Sequence, residues 1–161
     1  MYQQIIYDTL IGQKIPPILA KIVTAQAQFE SGNFKSNVFL KDNNAFGYKY
    51  VGQKIATKGI PSPASEGDNY AHYNSVQDSA IELANWLKRR VREKKLPALE
   101  AITTPAQYSK LIKAAGYYGA SENTYTKGIT KIFNSLKIGP VVTGLTGLII
   151  IAAIFFFIKR K

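Results

Sequence analysis

The stretch Pro17-Ile18-Leu19-Ala20-Lys21-Ile22-Val23-Thr24-Ala25-Gln26-Ala27-Gln28-Phe29-Glu30-Ser31-Gly32 decides how this chain folds and where its chemistry lies. Ile18, Ile22, Ala25 and Phe29 fall on one face at helical spacing, and Leu19, Val23 and Gln26 form a second stripe that Glu30 continues. Pro16-Pro17 opens the helix, because proline's missing N–H is no loss in a first turn, and Gly32 is the natural left-handed stop. Glu30 therefore lies in the last turn of a mostly apolar helix. The negative end of the helix dipole disfavours another negative charge there, and partial burial acts in the same direction. A carboxylic acid held protonated near neutral pH is what cleavage of a glycosidic bond needs, since the leaving sugar oxygen must collect a proton as the bond breaks. The competing reading is a solvent-facing Glu that merely ends a helix, and the helix alone does not choose between the two.

Composition removes several chemistries. The chain has 161 residues, one His and no Cys, which suits one small domain plus an appendage. Disulfides and a cysteine nucleophile are impossible. A zinc hydrolase wants a cluster of His, Cys and carboxylate ligands that His72 alone cannot supply, so neither a metal site nor a cofactor is expected. A Ser-His-Asp hydrolase would have to use His72, which sits in the alternating segment Tyr70-Ala71-His72-Tyr73, and no Gly-x-Ser-x-Gly elbow is present. Phosphate-loop and dinucleotide fingerprints are absent as well. Carboxylates, amides and phenols remain. The formal charge of +11 suits anionic surroundings such as a cell wall or lipid headgroups. Nucleic acid is not an expected partner, because the bases are scattered. The one cluster, Lys88-Arg89-Arg90 through Lys94-Lys95, is interrupted by Val91 and Glu93 and reads as a solvated helix face.

Along the rest of the chain, Tyr2, Ile5, Ile6 and Leu10 predict an N-terminal helix too polar for a signal peptide. Residues 33–44 read as an irregular polar loop anchored by Phe34, Phe39 and Leu40. Residues 46–73 are rich in Gly, Pro and Tyr and alternate at their ends, which predicts a β-hairpin lobe with Pro61 and Pro63 in its turn. Ser75 caps a helix from Val76 to Lys94, with Ala80, Leu83, Ala84 and Leu87 inward and Trp86 at its margin. Further helices are predicted from Thr104-Pro105 to about Ala115, and from Ser121 through Leu136 with Tyr125, Ile129, Ile132 and Phe133 inward. Residues 138–158 carry no charge, and at about 1.5 Å per residue they are long enough for a hydrocarbon core of about 30 Å. Lys159-Arg160-Lys161 closes that run. The expected organisation is a domain over residues 1–137 followed by a single-pass transmembrane helix with a basic tail over 138–161, meeting lipid through 138–158.

Three segments together point to a family. Ala25-Gln26-Ala27-Gln28-Phe29-Glu30-Ser31-Gly32, then Asn43-Asn44-Ala45-Phe46-Gly47-Tyr48-Lys49, then Ala115-Gly116-Tyr117-Tyr118 leading to Tyr125, resemble the glucosaminidase domains of bacterial peptidoglycan hydrolases, glycoside hydrolase family 73. The first is similar to that family's helix with the catalytic acid in an "ALESGWG" context, the second to "NNLFGIK", and the third to "GYATDPNY". Tyr70-Ala71-His72-Tyr73-Asn74-Ser75 resembles the "FRxYxS" strand that closes the family's β-lobe. The likeness covers roughly residues 15–137. It implies an α+β, mainly α fold: a lysozyme-like helical domain with a small β-hairpin lobe, to which the predicted transmembrane helix is appended. It implies peptidoglycan glycan strands as substrate and endo-β-N-acetylglucosaminidase cleavage of β-1,4 bonds, with Glu30 as general acid. Asn43 and Asn44 would turn the chain and fix the floor of the groove. Asn44, Phe46, Tyr117 and Tyr125 become candidate substrate-binding residues, Phe46 being better suited to packing than to chemistry.

One departure bears on mechanism. Family members often carry a second carboxylate on the first strand of the β-lobe, which falls near Ile55-Ala56-Thr57-Lys58, where this sequence has none. Glu66 lies further along the lobe and is the candidate second catalytic carboxyl, against the alternative of a solvated turn. Without a second acid, the substrate's own acetamido oxygen or a muramic hydroxyl can attack, the latter as in lytic transglycosylases. A wall-binding structural membrane protein without turnover is the other alternative. A C-terminal anchor behind a wall-degrading domain suits a bacteriophage virion membrane, one location that meets the wall without secretion. Nothing in the sequence indicates an oligomeric state.

Overall fold

The apolar spacing of the N-terminal half folds as two helices, α1 (Tyr2–Gly12) and α2 (Pro17–Glu30), in the computed structural model, which describes residues 1–64 and 67–139. Pro17 occupies the first turn of α2, where no N–H is needed. Leu19, Ala20, Ile22, Val23, Ala25 and Ala27 are fully buried, and so are Thr24 and Gln26, so α2 is enclosed on nearly every side and forms the axis of the core. Ile18, expected on the inward face, is instead 39% exposed, although Leu19 and Ala20 in the same turn are fully buried, so it is the direction Ile18 faces that leaves it uncovered. The helix ends at Glu30, and Gly32 adopts φ +56° as expected of a left-handed stop.

Residues 33–44 are more regular than their sequence suggests. They contain α3 (Asn37–Asp42), started by Ser36, whose hydroxyl accepts from the Phe39 amide at 3.2 Å. Phe34 and Phe39 are buried and form an aromatic cluster with Tyr2 through tilted and edge-on contacts, ring centroids 4.9–5.5 Å apart. Leu40, expected as a third anchor, is 63% exposed.

The predicted hairpin is present as β1 (Thr57–Pro61) and β2 (Asn69–His72), antiparallel, pairing Thr57 with His72 and Lys58 with Ala71 and losing regular register before Pro61 meets Asn69. A bridge from Lys49 to Tyr70 ties in the preceding segment. The buried Asp42 carboxylate fastens this lobe to α3, accepting from the Ile60 amide at 3.0 Å and lying 3.1 Å from His72 Nδ1. A Cβ on Gly59 would come within 2.7 Å of that carboxylate, so only glycine admits the contact.

Helix α4 (Val76–Arg92) begins at Ser75 as predicted and stops two residues before Lys94, whose φ is +58°. Ala80, Leu83, Ala84 and Leu87 are fully buried; Trp86, expected at the margin, is 6% exposed and part of the core. A single 3₁₀ turn at Leu99–Ala101 leads to α5 (Pro105–Ala114), whose start is a reciprocal capping box between Thr104 and Gln107. In α6 (Glu122–Ser135), Tyr125 and Ile129 are buried, while Ile132 and Phe133 pack half-buried against the core. Helix α2 packs on α1 and α6, α1 on α4, and α5 on α6. The domain is thus mainly helical α+β with a small two-stranded sheet.

The contact between α2 and α6 is close because Gly128 faces the Phe29 ring, whose Cδ2 and Cζ lie 2.7 and 2.8 Å from where a Cβ would stand. Gly128→Ala therefore forces the ring aside, at about 1–3 kcal/mol by the usual cost of overpacking, and lowers the melting temperature by several degrees. Phe29 meets Tyr125 edge-on at 5.5 Å, so activity falls with it. A thermal melt paired with an activity assay checks both.

Residues 65–66 and 140–161 lie outside the described residues, and with them Glu66 and the expected transmembrane helix beyond residue 139. Among the described residues, no helix is long and apolar enough to cross a membrane.

Candidate active site

The end of α2, the 44–55 segment, one face of α4 and the 116–118 turn enclose an open cleft of about 1130 Å³. This exceeds the roughly 300–1,000 Å³ of pockets that swallow a small molecule, and its open form suits a polymer lying across it. Glu30 lines it at the point where α2 ends.

Glu30 sits at the end of a chain of hydrogen bonds. Its Oε1 accepts from the Tyr125 hydroxyl at 2.6 Å; that hydroxyl accepts from Gln26 Nε2 at 3.0 Å; and Gln26 Oε1 accepts from the Tyr108 hydroxyl at 2.5 Å. Burial raises the Glu30 pKa above the ordinary carboxyl value, and the Tyr125 hydrogen bond, which favours the charged form, offsets this only in part. Among the described residues Glu30 has no ion-pair partner. Burial, then the charge of Glu30, pushes the Tyr125 hydroxyl far up, so it remains a donor. Tyr118 stacks on the Tyr125 ring, centroids 3.8 Å apart.

The Asn43-Asn44 pair stitches the floor. Asn43 takes φ +51° and donates to the Tyr73 carbonyl at 2.9 Å. Asn44 donates to the Tyr48 and Ala71 carbonyls at 2.8 and 2.9 Å and accepts from the Phe46 and Tyr48 amides at 3.3 and 3.0 Å. All its hydrogen-bonding capacity is thus taken up by backbone, and at 1% exposure it shapes the cleft from beneath. Phe46 is buried and borders the same space, as its packing role requires.

Tyr117 donates to the Phe46 carbonyl at 3.1 Å, meets Tyr48 and Trp86 edge-on at 5.9 and 5.2 Å, and lines the cleft. Glu30, Asn44, Phe46 and Tyr117 therefore share one cleft. Tyr125, expected as a sugar contact, is not among the residues lining it and lies behind Glu30, with its hydroxyl engaged by Glu30 and Gln26.

Strand β1 carries no carboxylate, but α4 brings one that sequence reasoning passed over. Glu82, Asn85, Trp86 and Arg89 stand at positions i, i+3, i+4 and i+7 and form one cleft wall. Burial raises the Glu82 pKa, with Arg89 pulling it back, and its carboxyl makes no hydrogen bond among the described residues. The buried Tyr48 and Tyr73 hydroxyls, also without partners, feel its charge; Tyr73 is pushed up by burial first and by Glu82 second. The available signal was that polar stripe beside the buried one, which reads equally well as a solvated face. Among the described residues no group of His, Cys, Asp and Glu is arranged to hold a metal.

The chain resembles known proteins in sequence family and in fold. The glucosaminidase family, described as mannosyl-glycoprotein endo-beta-N-acetylglucosaminidase, matches residues 11–138. No curated protein matches the chain. Two solved structures share the fold. One is a chain of a type VI secretion system effector-immunity complex from Pseudomonas protegens, with TM-score 0.60 and 16% identity over 83% of this chain and 86% of that one. The other is the catalytic domain of the autolysin Auto from Listeria monocytogenes, with TM-score 0.50 and 21% identity over 84% of each chain. Since the family match runs from the end of α1 past the end of α6, and so takes in the cleft with Glu30, this chain belongs to the glucosaminidase family of glycoside hydrolases.

Proposed function

We propose that this domain cleaves the β-1,4 glycan of peptidoglycan after N-acetylglucosamine, with Glu30 as general acid. The observation that carries this reading is a desolvated carboxyl at the edge of a long open cleft, one oxygen held by Tyr125. Family membership supplies the hydrolase class, the autolysin likeness supports a wall glycan as substrate, and a charge of +11 suits an anionic wall. With Oε1 accepting from Tyr125, the proton of the neutral acid resides on Oε2 and passes to the glycosidic oxygen as the bond to the anomeric carbon breaks.

The attacking group is the second half of the mechanism. Glu82 is the described cleft carboxyl available to orient a water, and Glu66 lies outside the described residues. A carboxyl about 6.5–9.5 Å from the acid gives inversion through that water, and one at about 5 Å gives a covalent intermediate. Glu82→Gln is expected to lower kcat on the order of 10²-fold with the melting temperature retained. An unchanged kcat leaves the attack to Glu66 or to the substrate itself, and Glu66→Gln then separates the two.

Because β1 lacks an acid, transglycosylation is the second reading. Digestion of purified sacculi followed by mass spectrometry separates them: reducing N-acetylglucosamine ends are expected, anhydro-muramic ends would establish transglycosylation, and binding without soluble fragments would leave a structural wall-binding protein. The uncharged run 138–158 before Lys159-Arg160-Lys161 supports a membrane anchor. Flotation of the full chain with lipid vesicles tests it; a chain that stays at the bottom of the gradient overturns the anchor.

A further inference from the structure

We infer that Tyr108 and Gln26, two buried side chains outside the cleft, are positioning residues that determine which oxygen of Glu30 carries the transferable proton. This rests on the reading of Glu30 as the acid. Tyr108 and Gln26 have no exposed surface, so every polar atom they carry must find its partner inside the protein. The Tyr108 hydroxyl has one acceptor among the described residues, Gln26 Oε1 at 2.5 Å. That contact fixes the amide: Oε1 faces Tyr108 and Nε2 faces Tyr125 at 3.0 Å. Because the Tyr125 oxygen then accepts a hydrogen bond from Gln26 Nε2, its own hydroxyl hydrogen points the other way, to Glu30 Oε1 at 2.6 Å.

The opposite arrangement is costly. A flipped Gln26 would turn its carbonyl to Tyr125, draw the phenolic proton away from Glu30, and leave the Tyr108 hydroxyl as a buried donor without an acceptor. The desolvation penalty of one such orphan is enough to hold the chain in one direction. All three donors therefore point toward the acid. Oε1 stays an acceptor whether Glu30 is neutral or charged, and the mobile proton is confined to Oε2. After transfer, the same Tyr125 hydrogen bond steadies the carboxylate that is left.

The groups facing Glu30 leave it as the titrating member of this chain. They are Tyr125 from α6, Tyr108 from α5, Tyr117 and Tyr118 from the turn between them, and Gln26 from its own helix; every one of these phenols is shifted upward by burial first.

The test uses the full chain and two readouts. Tyr108→Phe keeps the ring and removes the proton that orients Gln26. Expected are a fall in kcat of about tenfold with KM unchanged, and an alkaline limb of the pH profile moved up by about half to one pH unit, since losing a hydrogen bond to the charged form raises the acid's pKa. Tyr125→Phe should move the limb in the same direction, and the double variant no further than Tyr125→Phe alone. Where Tyr108→Phe does not fold, Gln26→Met is read in the same way. A limb that stays in place, or shifts that add in the double variant, overturns the inference and leaves Tyr108 and Gln26 as packing. Following the Glu30 carboxyl by ¹³C NMR in the same variants needs no substrate. A shift there with no cleavage of peptidoglycan would support the positioning role while removing the proposed substrate.

Discussion

Glu30→Gln is expected to lower glycan cleavage by about 10³-fold or more while leaving the fold as stable as before or more so. General acid catalysis contributes typically about 10²–10⁴-fold, and departure of a sugar oxygen from an unactivated glycan lies at the upper end. Glutamine matches glutamate in size, and its carbonyl can still accept the Tyr125 hydrogen bond, so only the transferable proton is lost. The stability effect has a definite sign. The folded-state pKa of Glu30 is raised above its ordinary value by burial. The stability linked to this group is therefore complete below the ordinary carboxyl pKa and is lost as the pH rises through the folded value. Once the pH passes the folded-state value, the charged, desolvated carboxylate works against the fold, and glutamine removes that cost. Melting curves should show the variant gaining on the wild type as pH rises from 4 to 8 and converging with it in acid. Loss of activity with a fallen melting temperature throughout that range would indicate a structural glutamate instead.

Asn44→Ala is expected to give the largest loss of stability, about 3 kcal/mol or more. The substitution deletes four hydrogen bonds at once and takes this partner from the Ala71 carbonyl and from the Phe46 and Tyr48 amides, while the Tyr48 carbonyl keeps the Ala71 amide at 2.8 Å. Each buried orphan costs about 1–3 kcal/mol, relieved only where water can enter. At this chain length such a loss lowers the melting temperature by roughly 10 °C. Asn44→Asp should be no milder, because it keeps the acceptor, loses both donors and buries a charge. Activity should fall as well, since Ala71 belongs to β2 and Tyr48 to the cleft wall, so the floor and the lobe loosen together. A change of only two or three degrees would mean that the loop holds its shape without this side chain.

How far the sequence foretold this arrangement depends on the length over which each signal acts. Helices α2, α4, α5 and α6 are long enough for their apolar stripes and caps to be read directly, and Ser75, Thr104 and Gly32 act where expected. Helix α3 spans six residues, too few for a period to show, so its segment reads as loop and Leu40 reads as an anchor. Ile18 and Trp86 were misplaced for a related reason: burial near a helix end or on a flank is set by whichever element packs there. Glu30 was legible because its signal is local, a carboxyl at the closing turn of an apolar helix. The chain behind it was not, since Gln26 meets Tyr108 and Tyr125 across separations of 82 and 99 residues. Tyr125 carries no local mark that distinguishes a residue behind the acid from one in front of the sugar. Glu82 was hidden by its own helix, whose polar stripe looks like a solvent face until the 44–55 segment closes the cleft beside it.

The central claim, that a half-buried, neutral Glu30 is the proton donor, is tested most directly by titrating its carboxyl by ¹³C NMR beside the pH profile for cleavage of purified sacculi. Expected is a midpoint above the ordinary value of 4.5 that coincides with the alkaline limb of the profile. A midpoint at or below 4.5, or a limb that persists elsewhere, would contradict it.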